Sequence, residues 1–175
     1  MLLPGCHAPV DIKSSASAVD DAKNFQAAFL RIDSNRAACY ESKDFAPVAL
    51  EKYTIADITK RFMNRLACTK NPVINTHNRA IMDTVYTFSN SGNKIRFYRA
   101  RQKDFIFIFD VTDPDFKLTG DIRPGMRKDL FFRKFQIREN TSNRVQIANI
   151  SGTMRFNFYF QNNLLKRINC YLYLD

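Results

Sequence analysis

His7 and His77 are the only histidines in this chain of 175 residues. A nucleophile of the Ser–His–Asp or Cys–His kind would have to be built on one of them, because imidazole is the ordinary base near neutral pH. His7 falls in a polar leader, and His77 sits in Asn75-Thr76-His77-Asn78, which has the composition of a solvated loop. Carboxylates gather at Asp104, Asp110, Asp113 and Asp115, where a pair could do acid–base work or hold a hard cation. Asp113-Pro114-Asp115 is also an ordinary turn, and no EF-hand spacing follows it. With 5 glycines and no Gly-rich loop, a phosphate cradle is not expected. The inventory points away from an enzyme, and no cofactor is expected.

The cysteines are Cys6, Cys39, Cys68 and Cys170. None falls in a CxxC or Cys/His spacing, so no metal site is expected. In an oxidising compartment Cys39 and Cys68, which flank the first helical half, are the expected disulfide. Cys170 alternates with Ile168 and Leu172 and reads as a buried thiol. The alternative is that all are reduced thiols of a cytosolic protein. Leu3-Pro4-Gly5-Cys6 has the form of the tail of a bacterial lipobox, and residues 7–18 have the small, polar character of a lipoprotein tether. Cys6 is accordingly the expected lipidation site, with residues 1–16 a tether or disordered arm.

The richest constellation lies on strands. Alternation puts Lys94, Arg96 and Tyr98 on one strand face, Arg155, Asn157 and Tyr159 on a second, and Arg167, Asn169, Tyr171 and Tyr173 on a third. Where such strands are neighbours, a basic, Tyr-rich face stands opposite a core of Phe156, Phe158, Phe160, Ile168, Leu172 and Leu174. Tyr and Arg dominate hot spots of protein interfaces, and they also suit phosphates and stacked bases. The plain alternative is a solvated face with cross-strand Arg–Tyr pairs. An RNA-recognition sheet would carry a glycine-punctuated aromatic signature, and residues 153–160 lack the glycines.

The elements that position these residues follow from periodicity. Ser17-Ala18-Val19-Asp20 has cap spacing, and Ala22, Phe25, Phe29 and Ile32 then predict a helix over 18–32. Residues 36–53 are ambiguous in pattern, and 40–47 read mostly as loop. Thr54-Ile55-Ala56-Asp57 repeats the cap signal before a stripe of Ile55, Ile58, Phe62 and Leu66, with Asn71-Pro72 as a stop and 73–79 as loop. Strand alternation begins at Met82, turns at 90–93 and continues from Lys94. Residues 104–110 are apolar on both faces, which suits a central strand covered on both sides or tightly packed. A helix is predicted over 122–135, with Pro124 near its first turn and Met126, Leu130, Phe131 and Phe135 inward. A strand over 144–150 and a hairpin of 154–161 with 164–175 complete the chain. The expected fold class is α+β, with short helices packed on a mainly antiparallel sheet in a single domain over 17–175. Lys60-Arg61-Phe62 is answered by Arg133-Lys134-Phe135, which suggests two tandem helix-plus-three-strand units over 54–110 and 121–175.

Hydrophobic residues at 45% are enough for a real core, Phe is abundant at 16, and Trp is absent. The net charge of +10 favours anionic partners. No apolar run reaches the roughly 18 residues of a membrane span, so a lipid anchor is the only expected membrane attachment.

Ile122-x-Pro124-Gly125-Met126-x-Lys128, then a short helix, then strands holding Phe160-x-Asn162-Asn163-x-Leu165, resembles the helix-start motif of the SmpA/OmlA outer-membrane lipoproteins. It is also similar to the repeats of the β-lactamase inhibitory protein. The likeness covers 121–175 and, faintly, 54–110. The Gly-x-Pro stretch usual after that helix is missing from Phe135-Gln136-Ile137-Arg138, and the usual Trp/Tyr strand is Phe-rich. The resemblance implies an envelope protein that binds another protein and brings no catalytic residue. The expected function is thus a non-enzymatic bacterial cell-envelope module, periplasmic or anchored to the outer membrane. It would dock a protein partner, an acidic one where the net charge guides the choice, through Lys94, Arg96, Tyr98, Arg155, Tyr159, Arg167, Tyr171 and Tyr173. The alternatives are a periplasmic inhibitor or immunity protein, and a cytoplasmic binder of nucleic acid or another anionic polymer.

Overall fold

A strand with one apolar side buries it most readily beside other strands, and period-two alternation runs through most of this chain. The computed structural model describes residues 23–46, 48–138 and 142–172. It contains one sheet, made of β1 (Ala28–Ile32), β2 (Ala38–Glu41), β3 (Ala67–Ile74), β4 (Met82–Ser89), β5 (Lys94–Ala100), β6 (Lys103–Val111), β7 (Arg144–Ala148), β8 (Met154–Gln161) and β9 (Leu164–Leu172). Two helices, α1 (Ile55–Phe62) and α2 (Lys128–Lys134), interrupt the strands. The order across the sheet is β1-β2-β7-β8-β9-β6-β5-β4-β3. β2 and β7 run parallel, and the other neighbouring pairs are antiparallel. Four strands follow α1 and three follow α2.

The α+β expectation is therefore corrected. The described residues are mostly sheet, with 45% strand and 10% helix. Much of the layer over the buried face is irregular chain. Of the helix expected over 18–32, residues 28–32 form edge strand β1, and the cap at 17–20 lies outside the described residues. The β1–β2 register shifts between Phe29 and Arg31, so Phe29 opposes Tyr40 and Ile32 opposes Ala38. A bulge adds one residue, so side chains three apart share a strand face and imitate helical spacing. β2 emerges from a stretch of ambiguous pattern that runs into the 40–47 loop reading, because its pairing to β7 is made far away in sequence. β3 runs through Asn71-Pro72, where a stop was expected; an edge strand tolerates proline.

The helix expected over 122–135 is only its second half. Gly125 adopts φ 91°, a left-handed conformation that glycine supplies without strain. The N–H of Gly125 donates to Leu165 O at 2.7 Å, that of Leu165 to Met126 O at 2.8 Å, and that of Lys128 to Asn163 O at 2.9 Å. The front of the motif is thus a turn, closed by the N–H of Met126 donating to Arg123 O at 3.1 Å and tied to the β8–β9 hairpin. That hairpin turns on Asn162 and Asn163, at φ 52° and 57°, the residue type a two-residue primed turn prefers. α2 buries Phe131 and Phe132, and Phe135 just beyond its end, while Leu130, expected inward, is 39% exposed.

One face of the sheet carries the core. Phe156, Phe158, Phe160, Ile168 and Cys170 are buried there as the alternation requires, and Leu172 is half-buried; Leu174 lies outside the described residues. Over them sit Phe45, Leu50 and Tyr53 from the turns after β2, Ile58 and Phe62 from α1, and Phe116, Leu118 and Ile122 from the loop before α2. Phe45 contacts Phe25, Phe135 and Phe156 with ring centroids 5.0, 4.9 and 5.1 Å apart, and Phe62 stacks on Phe116 at 4.2 Å. Each buried aromatic contributes about 1.5–3 kcal/mol by removal from water. α1 begins with the expected capping box: the N–H of Asp57 donates to Thr54 Oγ1 at 3.1 Å, and the N–H of Thr54 donates to Asp57 Oδ2 at 3.2 Å.

Candidate functional site: the open face of the sheet

Strand registers fix what stands on the other face, because residues directly opposite each other share a side. One row crosses β8, β9, β6 and β5 as Arg155–Tyr171–Ile108–Arg96 and continues to Thr87 on β4. The adjacent row runs Gln146–Asn157–Asn169–Asp110–Lys94. A third joins Arg144, Tyr159 and Arg167. The sheet therefore brings Lys94, Arg96, Tyr98, Arg155, Tyr159, Arg167 and Tyr171 to a single side. Tyr173 lies outside the described residues. The helices and loops send their buried apolar side chains to the opposite face. On this one Tyr171 is 54% and Phe105 42% exposed.

The arginines of the protein divide into two classes. Arg65 pairs with Asp113 and Asp115, Arg99 with Asp104, and Arg167 with Asp110. On the open face Arg167 Nε donates to Asp110 Oδ1 at 2.6 Å, and this contact raises the guanidinium pKa. Lys94, Arg96, Arg144 and Arg155 make no such ion pair among the described residues. The Arg96 guanidinium lies 4.8 Å from the Phe107 ring, and its buried Nε has no hydrogen-bond partner. Arg144 sits 5.5 Å from the Tyr159 ring, and its Nη2 donates to Asn157 Oδ1 at 3.1 Å, yet its Nε is likewise buried and unpartnered. A buried donor left unpaired costs about 1–3 kcal/mol.

Tyr98 has a different role. Its hydroxyl donates to Asp83, whose Oδ2 also accepts from Asn75 Nδ2 at 2.6 Å. The Tyr98 hydrogen bond, aided by Asn75, holds the Asp83 carboxyl below the ordinary carboxylate range, and the same bond raises the Tyr98 phenol. Tyr98 thus clips the β3–β4 loop to the sheet.

The residues considered for catalysis do not converge. His77 is exposed in the β3–β4 loop, where Asn75 Oδ1 accepts from the N–H of His77 at 2.9 Å and of Asn78 at 2.8 Å. Asp104 and Asp110 fall on opposite faces of β6. Asp113 and Asp115 share Arg65 in the turn after β6. Among the described residues no group of three His, Cys, Asp or Glu comes together as a metal site would require.

The expected Cys39–Cys68 bridge is not formed. Both thiols are free, Cys39 on β2 near one edge of the sheet and Cys68 on β3 at the other. At a strand spacing of about 4.8 Å, that separation is far beyond the reach of a disulfide. Flanking the same helix in sequence did not imply proximity, because β3 is carried to the opposite edge. Cys170 is buried, and burial pushes its thiol up to about 12. Cys6 lies outside the described residues.

Sequence reasoning missed Ile108, Phe105, Phe107 and Arg144 as members of the face. The signal for the first three was the apolar run on both sides of 104–110, which reads as a doubly covered strand. β6 is central, but its outer side is uncovered. Arg144 opens the alternation that Gln146 continues. No protein-family model, curated protein or solved structure matches the chain.

Proposed function

We propose that this chain is a non-enzymatic protein-docking module of the bacterial cell envelope, and that its open sheet face holds an acidic surface of a partner protein. The observation that carries this reading is the row Arg155–Tyr171–Ile108–Arg96 on an uncovered face. An exposed aromatic and an aliphatic side chain form its centre, with an arginine at each end. At about 4.8 Å per strand, the arginine backbones stand roughly 14 Å apart. Apolar centres ringed by polar groups, with Tyr and Arg as anchors, are the composition of interface hot spots. The unpaired guanidiniums favour carboxylates opposite them. The lipobox-like Leu3-Pro4-Gly5-Cys6 supports attachment to a membrane surface through lipid on Cys6. An inhibitor or immunity protein would use the same face, with an enzyme as the partner.

The test is site-specific photo-cross-linking in the native cell, with benzoylphenylalanine at Tyr171 and, as a control, at Lys60 on the exposed side of α1. The reading expects a discrete protein adduct from Tyr171 alone, abolished by Arg96→Glu with Arg155→Glu. A nucleic-acid adduct, or equal adducts from both positions, would overturn it. Intact mass of the membrane-extracted chain tests the anchor: a diacylglyceryl adduct is expected on Cys6, and an unmodified thiol removes that part.

A further inference from the structure

A cleft of about 730 Å³ opens between the β1–β2 turn and the start of β7, where the open face ends. Its walls differ in character. Arg36 and Arg144 supply positive charge, Asn143 a carboxamide, and Ile32, Tyr159 and Phe160 apolar surface. Among the described residues no carboxylate lines it. The size is that of a small-ligand site.

The charged walls are held in place before any ligand arrives. Asp33 Oδ1 accepts from the N–H groups of Asn35 at 2.9 Å and Ala37 at 2.8 Å, and the N–H of Arg36 donates to Asp33 O at 3.0 Å. Arg36 sits at φ 58° in that turn, a conformation that costs a non-glycine residue energy and persists only where its surroundings impose it. Ser142 Oγ donates to Arg36 O at 2.7 Å and fastens the turn to β7. Across the cleft, Tyr159 and Asn157 fix the Arg144 guanidinium, whose buried Nε has no partner. Two guanidiniums with no acidic partner among the described lining residues, beside an apolar wall, suit an anion with an apolar body.

We propose that this cleft is a carboxylate-binding site for a ligand bearing its carboxylate on an apolar group, as the C-terminal residue of a peptide does. Arg144 and Arg36 receive the carboxylate, and Ile32 and Phe160 receive the apolar part. The inference deepens the docking reading, because Arg144 and Tyr159 belong to the same face. Its test uses small probes and needs no protein partner, so either proposal can fail while the other stands.

The whole chain, labelled with ¹⁵N, is titrated with N-acetylphenylalanine, with its amide, and with inorganic phosphate, following backbone amides and arginine Nε–H signals. The acid is expected to shift Arg144 Nε–H and the amides of 35–37, with the amide form at least tenfold weaker. Arg144→Gln and Arg36→Gln should each weaken the acid by about tenfold, the loss of one charge-assisted contact. Arg36 is exposed, so its variant keeps the fold and reports even where Arg144→Gln does not. Equal binding of acid and amide, phosphate binding as tight as the acid, or no shift with the acid would each overturn the proposal.

Discussion

Truncating Tyr171 and Phe158 should separate the two faces of the sheet by both stability and binding. Phe158 is fully buried, with ring centroids of Phe131, Phe45 and Phe135 at 4.7, 6.1 and 6.1 Å. Phe158→Ala removes that ring and leaves a cavity, a loss of about 3–5 kcal/mol. Tyr171 on the next strand is 54% exposed, so its burial is worth about half of a full aromatic's 1.5–3 kcal/mol, or roughly 1 kcal/mol. With a urea slope of about 2 kcal/mol per molar, the midpoints fall by roughly 2 M and 0.5 M. Against the partner captured at Tyr171, truncation of that hot-spot side chain should cost at least about 2 kcal/mol, near thirtyfold in affinity. Urea unfolding followed by circular dichroism reads the first quantity, and titration calorimetry the second. Tyr171→Ala as destabilising as Phe158→Ala would mean that the face is covered. An unchanged affinity in a folded Tyr171→Ala protein would refute the docking argument.

Thiol accessibility should follow the sheet: iodoacetamide alkylates the exposed Cys68 quickly, while Cys39 and Cys170 react only on unfolding, as mass spectrometry of peptides would show. Air oxidation should yield no Cys39–Cys68 linked peptide. Thr54→Ala removes the hydroxyl that accepts from Asp57 N–H and should cost about 0.5–2 kcal/mol, read by thermal unfolding. Tyr98→Phe should move the Asp83 carboxyl upward toward the ordinary range, measured by carboxyl ¹³C shifts against pH. Because the folded carboxyl titrates below its unfolded counterpart, the stability it contributes is present above about pH 4. That contribution is lost as pH falls through the folded value, so wild type and Tyr98→Phe should converge in stability in acid. The raised Tyr98 phenol gives the opposite limb, with stability held up to about pH 10 and lost as pH rises through its folded value.

Bulges explain why some strands were hidden. Phe29 and Ile32 share a face only because the β1 register shifts between Phe29 and Arg31. Such a shift gives an edge strand the spacing of a helix. The run at 104–110 misled differently: a second bulge, at Arg96/Phe97 in the β5–β6 pairing, lies beside Phe107, and Phe105 and Ile108 fall on the open side. Apolar residues on both faces suited a strand covered on both sides or one in a tightly packed sheet; the fold places β6 centrally and covers one side of it.

Side assignment within a strand is local, because successive side chains must point to opposite faces whatever the neighbours are. That alone separated Phe156, Phe158 and Ile168 from Arg155, Tyr159, Arg167 and Tyr171, and the same local logic placed the Thr54 cap and the β4–β5 and β8–β9 hairpins. Strand order is not local. The parallel β2–β7 pair, the β6–β9 seam and the transfer of β3 to the far edge join residues distant in sequence, and loop composition does not encode such pairings. Those long-range choices alone set Arg155, Tyr171, Ile108 and Arg96 in one row, left the arginines at its ends without acids among the described residues, and kept Cys39 from Cys68.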